Sequence, residues 1–244
     1  MGFLRERFRF TLWPTLFTIP AVLFMLGLGT WQVERLAWKT ALIDARTAAL
    51  ATPAVPVPET LSAAEPLDFH HVIAAGRFDH AKELYIGAFD GRGIEGFQIV
   101  TPMTLADGQI LLVNRGFVPG TRKAPATRAA GQIEGPTEIE GILRLPNPPK
   151  GWLVPQNRPG DNFWFFVDVP AMAATDGFDQ VLPFYVEAGP APNPGGFPIG
   201  GQTRIALPND HLQYAITWYL FALTLVVIYF IYHYRKPEEV ETAR

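Results

Sequence analysis

Two stretches of the chain lack any charged side chain. The first lies between Arg9 and Glu34 and holds 24 uncharged positions, LFTIPAVLFMLGLG among them; the second lies between His211 and His233 and holds 21, including WYLFALTLVVIYFIY. About 20 such residues cross a hydrocarbon core as a helix. Aromatic residues bracket both runs: Trp13 and Trp31 are 18 residues apart, and so are Tyr214 and Tyr232, a rise of roughly 27 Å. The pattern predicts transmembrane helices over 10–33 and 208–233. A cleaved signal peptide is the alternative for the first, opposed by its length and by the lack of a small-x-small site before Trp31. A buried soluble helix is the alternative for the second, opposed by its length and aromatic ends.

The first helix is predicted to continue to about residue 50, because 31–50 contains neither Pro nor Gly and a proline-rich run begins at Pro53. Beyond it the pattern changes to short apolar or alternating runs at 72–78, 83–89, 98–102, 110–117, 137–145, 163–169 and 182–188, separated by Gly, Asp and Pro clusters. These predict strands of an antiparallel sheet or small barrel over 51–207. One short helix is expected at 170–175, a turn-rich or weakly helical loop at 124–132, and an extended proline-rich linker at 189–201. The fold class expected is membrane α+β, two transmembrane helices flanking an extracytoplasmic β domain.

Charge sets the orientation. The tail 1–9 carries Arg5, Arg7 and Arg9 against Glu6, and the tail 234–244 opens with Tyr234-Arg235-Lys236. Both tails are therefore expected in the cytoplasm, with the central domain periplasmic in a bacterial inner membrane. Residues 34–210 hold 14 basic and 19 acidic side chains, net −5. A net charge of −3 and a pI near 6.0 argue against nucleic-acid binding. With no cysteine in 244 residues, a disulfide scaffold, a cysteine zinc site, a thiol nucleophile and an iron–sulfur cluster are excluded.

Several motifs admit more than one reading. Gly91 to Gly96 matches a dinucleotide-binding glycine pattern, but strand-like residues follow where a helix is required. His70, His71 and His80 have no zinc-like spacing. Arg115 ends an apolar strand and either holds a neighbouring carboxylate or faces a partner. Trp31, Arg35 and Trp38 share a helical face, with Lys39 and Arg46 extending a basic stripe. The stripe either anchors the helix among lipid headgroups or binds an anionic group such as a cofactor carboxylate. His211 stands at the head of the second apolar run, on a face continued by Ala215, Trp218 and Ala222. Either Asn209 or Asp210 caps the helix while His211 wets the interface, or the imidazole ligates a planar haem above the small alanines.

Four ordered motifs carry a resemblance: GTWQVERLAWK at 29–39, VNRGFVP at 113–119, NRP with NFWFFVD across 157–168, and NDHLQYAITWY at 209–219. Together with the two-span layout they resemble the surfeit locus protein 1 family of cytochrome c oxidase assembly factors. The resemblance implies a non-enzymatic role: receiving haem a and supporting its insertion into haem-copper oxidase subunit I, with haem a synthase and other assembly factors as further partners. It implies His211 as the axial haem ligand. Trp218 then flanks the macrocycle, and Arg35 with Lys39, beside Trp31 and Trp38, meets the propionates. Asn157, Arg158, Trp164 and Asp168 join Arg115 as partner or structural motif residues, with a buried Asn–Asp network expected. The alternatives are a scaffold for oxidase intermediates that handles no haem, and a membrane-anchored periplasmic binding module.

Overall fold

The computed structural model describes Phe8, residues 10–203 and residues 207–234. The arginines and lysine that set the expected orientation, in the tails 1–9 and 234–244, lie outside the described residues. The chain divides into two compact units, one made of Met1–Asp44 with Ala206–Arg244, the other of Ala45–Ile205.

The first unit contains most of helix α1 (Leu12–Leu50, 39 residues) and all of helix α2 (His211–His233, 23 residues). Both are long and apolar enough to cross a membrane. Trp13, Phe17, Leu23 and Phe24 on α1 and Leu223, Phe230 and Ile231 on α2 are each more than half exposed, the reverse of a soluble core helix. Polar groups tie the two helices together where few would be expected. Thr15 Oγ1 lies 2.7 Å from Tyr229 OH, Thr11 Oγ1 2.7 Å from His233 Nε2, and Thr30 Oγ1 3.2 Å from Tyr219 OH. Such bonds fix the register of the two apolar helices.

The second unit is a small β barrel. Its strands are β1 (Val55–Pro56), β2 (His71–Phe78), β3 (Leu84–Phe89), β4 (Glu95–Leu105), β5 (Ile110–Pro119), β6 (Pro136–Arg144), β7 (Phe163–Trp164) and β8 (Val181–Ala188). Neighbours run β1-β2-β6-β8-β5-β4-β3-β7, and a further pairing of β2 with β4 closes β2, β6, β8, β5 and β4 into a ring. Closure happens at Gly76, where an added Cβ would strike the Thr104 carbonyl. The sheet is not purely antiparallel as expected: β1–β2, β3–β7 and β5–β8 are parallel. Between β5 and β8 lie β6 and helix α3 (Val169–Asp176), and so long a crossover permits parallel pairing. Leu111 and Val113 enter one core with Phe184 and Leu143, while Leu112 enters another with Trp164 and Met172. β5 is thus buried on both faces, which explains its unbroken apolar run.

Three expected segments differ. β7 has two residues rather than seven, because Asp168 accepts a hydrogen bond from Ala171 N at 3.1 Å and starts α3 with Pro170 in its first turn. β4 reaches 95–105 rather than 98–102; Pro102 falls where its edge partner changes from β3 to β2, a place where a missing N–H is tolerated. Segment 189–201 is no free linker. Ile199 exchanges two backbone hydrogen bonds with Phe117, at 2.8 and 2.9 Å. Gly116, at φ 114°, lets Ile199 approach where a Cβ would strike its carbonyl.

Candidate functional site

His211 is the first residue of α2. Neither capping reading accounts for it: Asp210 makes no side-chain cap, and Asn209 instead donates to Thr40 Oγ1 at 3.3 Å. The imidazole Nδ1 lies 2.7 Å from Gln32 Oε1 on α1. A carboxamide oxygen only accepts, so Nδ1 carries the proton and Nε2 keeps its lone pair. Nε2 has no hydrogen-bond partner among the described residues. A ring fixed through one nitrogen with the other free is how a protein prepares an imidazole for a metal. The arrangement leaves one imidazole nitrogen open to a ligand, with Gln32 holding the ring from behind.

Trp31 and Trp38 are each 52% exposed, and the Arg35 guanidinium lies 4.0 Å from the Trp38 ring centroid. Lys39 is half-buried on the side of α1 that carries Gln32. Trp218 is half-buried and meets Phe221 edge-to-face at 6.1 Å. The open face expected over the alanines is not present. Ala215 and Ala222 are each only 2% exposed, so protein already covers them and a planar group has to lie beside them. Gln32 was the residue that sequence reasoning missed. It lies inside the 29–39 motif, but nothing in its own spacing pairs it with a residue 179 positions away.

The other predicted positions serve the barrel. Arg115, 1% exposed, cannot face a partner. It donates to Asn193 Oδ1 at 3.2 Å and stands 3.8 Å from Glu83 Oε1. Glu83, 4% exposed, is gripped by both terminal nitrogens of Arg128 and also receives Gln132 Nε2 at 3.3 Å. His80 Nε2 lies 2.9 Å from the Ile133 carbonyl and so bears a proton, while Nδ1 stands 3.4 Å from Arg115 and 3.6 Å from Glu83 Oε1. Asn157 Oδ1 receives Phe165 N at 2.8 Å and pins the loop before β7. Arg158 lies 4.6 Å from the Phe163 ring. Trp164 is fully buried and donates to Asn162 Oδ1 at 3.2 Å. The expected Asn–Asp network is absent among the described residues, since Asn157 binds loop backbone and Asp168 caps α3. No group of three or more His, Asp or Glu converges on a common point among the described residues.

Burial pushes the Glu83 carboxyl up, but His80, Arg128 and Gln132 outweigh it and hold it near 2, against an ordinary 4.5. Burial, helped by the nearby Arg128 charge and opposed by Glu83, lowers Arg115 to about 10. A carboxylate whose folded pKa is depressed stabilises the fold fully above its unfolded value and loses that contribution as pH falls through the folded one. Glu83 should therefore contribute about 3 kcal/mol at neutral pH, lost between pH 4.5 and 2. Denaturant midpoints of the detergent-solubilised protein, followed by tryptophan emission from pH 7 to 2, should fall more steeply for the native chain than for Glu83→Gln. Parallel curves would contradict this.

The SURF1 family model matches residues 19–223. The chain is 39% identical over 220 residues to Surfeit locus protein 1 of Takifugu rubripes, covering 84% of this chain and 89% of that protein. It is 38% identical over 233 residues to a SURF1-like protein of Monosiga brevicollis, covering 90% and 87%. Against Surfeit locus protein 1 of Homo sapiens the identity is 40% over 221 residues, covering 84% and 71%.

Proposed function

The chain belongs to the SURF1 family, known as cytochrome oxidase assembly factors, and from that premise we propose that it receives haem a and supports its insertion into haem-copper oxidase subunit I. The observation that supports this reading is the Nδ1–Gln32 bond of His211, which leaves Nε2 free. Haem is cargo in this account, and its iron accepts an imidazole nitrogen as axial ligand. Gln32 keeps the ring in the tautomer that offers Nε2. Arg35 and Lys39 supply cations for propionate groups, guanidinium matching carboxylate geometry. Trp218, with Trp31 and Trp38, offers aromatic surface beside the ring. A single protein ligand suits a donor that must release what it holds.

The exposed apolar surfaces of α1 and α2 support membrane insertion of both helices, and we assign that membrane as a bacterial cytoplasmic one. With both termini cytoplasmic, the barrel lies in the periplasm and His211 sits at the periplasmic end of its span. Haem a synthase is the natural supplier, and lipid contacts the helices. No catalytic step is assigned to the chain.

One observation favours a second reading. The covered alanines leave no slot on the His211 face, which suits a scaffold that holds subunit I without touching haem. The test is the haem a content of subunit I purified from cells lacking this chain and from complemented cells. The haem role expects several-fold less haem a per subunit I in its absence, restored by the native chain but not by His211→Ala. Full restoration by His211→Ala would favour the scaffold, and unchanged haem content per subunit I without the chain would overturn the haem role.

A further inference from the structure

In the barrel unit one loop reverses the usual chemistry of a turn. Val154 N donates to the Gly151 carbonyl at 3.5 Å, which places Trp152 and Leu153 at the two central positions of a tight turn. Gly151, at φ 133°, supplies the left-handed backbone that leads into it. Exposed turns favour Gly, Pro, Asn, Asp and Ser at such positions. Here stand an indole and a leucine, 91% and 76% exposed, and Trp152 is the most exposed large apolar side chain among the described residues. Its ring makes no aromatic or cation contact among them. Pro146, Pro148, Pro149 and Pro155 frame the turn and restrict its backbone, so the pair is presented with little left to order on binding.

Charge identifies what the turn meets. Residues 145–160 contain Lys150 and Arg158 and no carboxylate, within a 34–210 segment whose net charge is −5. Arg158 is paired with Asp161 at 3.6 Å, whereas Lys150 is exposed and makes no ion pair among the described residues. A tryptophan and a leucine led by a free lysine match the bilayer interface: the indole sits at headgroup depth, the aliphatic group enters acyl chains, and the ammonium meets lipid phosphate. A domain the size of Ala45–Ile205 has a radius of gyration of about 15 Å. Ala45–Ile205 is joined at both ends to the unit that holds most of α1 and all of α2.

We propose that the turn 151–154 is a third membrane contact, with Trp152 and Leu153 seated in the interface of a bilayer carrying anionic headgroups beside Lys150. The proposal rests on membrane insertion of α1 and α2, and the test separates the two. Because the chain has no cysteine, Leu153→Cys gives a single thiol for a bimane label without further changes. The full-length labelled protein is reconstituted in nanodiscs of phosphatidylcholine with or without phosphatidylglycerol, each also with nitroxide-bearing lipid. Co-elution with discs reports the helices; quenching of bimane reports the turn. The proposal expects co-elution and several-fold quenching in phosphatidylglycerol discs, weaker in phosphatidylcholine alone and weakened again by Lys150→Glu. Co-elution with an unquenched label would overturn the proposal and leave the helices' insertion standing. Quenching insensitive to lipid charge and to Lys150→Glu would overturn the role given to anionic headgroups. A label unquenched by lipid but shielded on adding purified oxidase subunit I would assign the turn to a protein partner instead. Failure to co-elute would overturn the insertion of α1 and α2, and this contact with it.

Discussion

Replacing Arg128 by methionine should destabilise the β barrel by about 3–5 kcal/mol, the cost of stranding one member of a buried ion pair. Arg128 and Glu83 are 5% and 4% exposed, and both guanidinium terminal nitrogens bond the carboxylate. Without Arg128, Glu83 keeps Gln132 at 3.3 Å and a longer contact to Arg115 at 3.8 Å, neither of which replaces a bidentate cation. The pair also fastens three segments distant in sequence: the lead into β3, the loop 125–131, and β5 through Arg115. Total stabilities of domains are about 5–15 kcal/mol, so the variant should lose much of its margin. Denaturant titration of the full-length protein in detergent measures this. Double replacement by Glu83→Leu with Arg128→Met should cost less than Arg128→Met alone, because no charge is stranded. A loss below about 1 kcal/mol for the single variant would contradict the account.

The second large effect falls on His211. If this imidazole holds the haem iron, His211→Ala removes the only protein ligand assigned to it, and haem affinity should drop by more than about 100-fold. Gln32→Leu should cost less. Removing a hydrogen-bonding partner behind a metal-ligating histidine typically lowers affinity 10–100-fold, yet the histidine itself remains. Titrating purified, haem-free protein with haem a and following the Soret band ranks the two. Insertion of both variants into membranes should be unchanged, since α1 and α2 retain their polar links at Thr15–Tyr229 and Thr30–Tyr219. Equal affinity for the native chain and His211→Ala would remove the histidine from the site.

Local signals were legible in the sequence and distant ones were not. The two apolar runs announced α1 and α2 because a charge-free stretch of that length needs no partner to be recognised. Short strands showed in the same way, through Gly, Asp and Pro at their ends. A small barrel was among the expected architectures, but which strands close it was hidden, since the β2–β4 pairing depends on register and on the missing side chain at Gly76. The parallel β5–β8 pairing was hidden because nothing local encodes a neighbour's direction. His211 was visible by its place at a helix head, but Gln32, which fixes its tautomer, was not. Arg115 read as internal or as partner-facing, and its burial with Glu83 at 3.8 Å decides for the interior. The exposed tip at Trp152 gave no signal in the sequence at all, because the hydrophobic pattern records residue type and not the turn that turns it outward.

The central claim is that His211 offers its free nitrogen to haem a. The most direct measurement is the visible spectrum of the full-length protein purified from cells that make haem a, native and His211→Ala side by side, with subunit I assayed in the same fractions. The account expects a Soret band in the native protein, lost in His211→Ala at equal protein yield. A band retained in full by His211→Ala, or a colourless native protein that still carries subunit I with it, would contradict it.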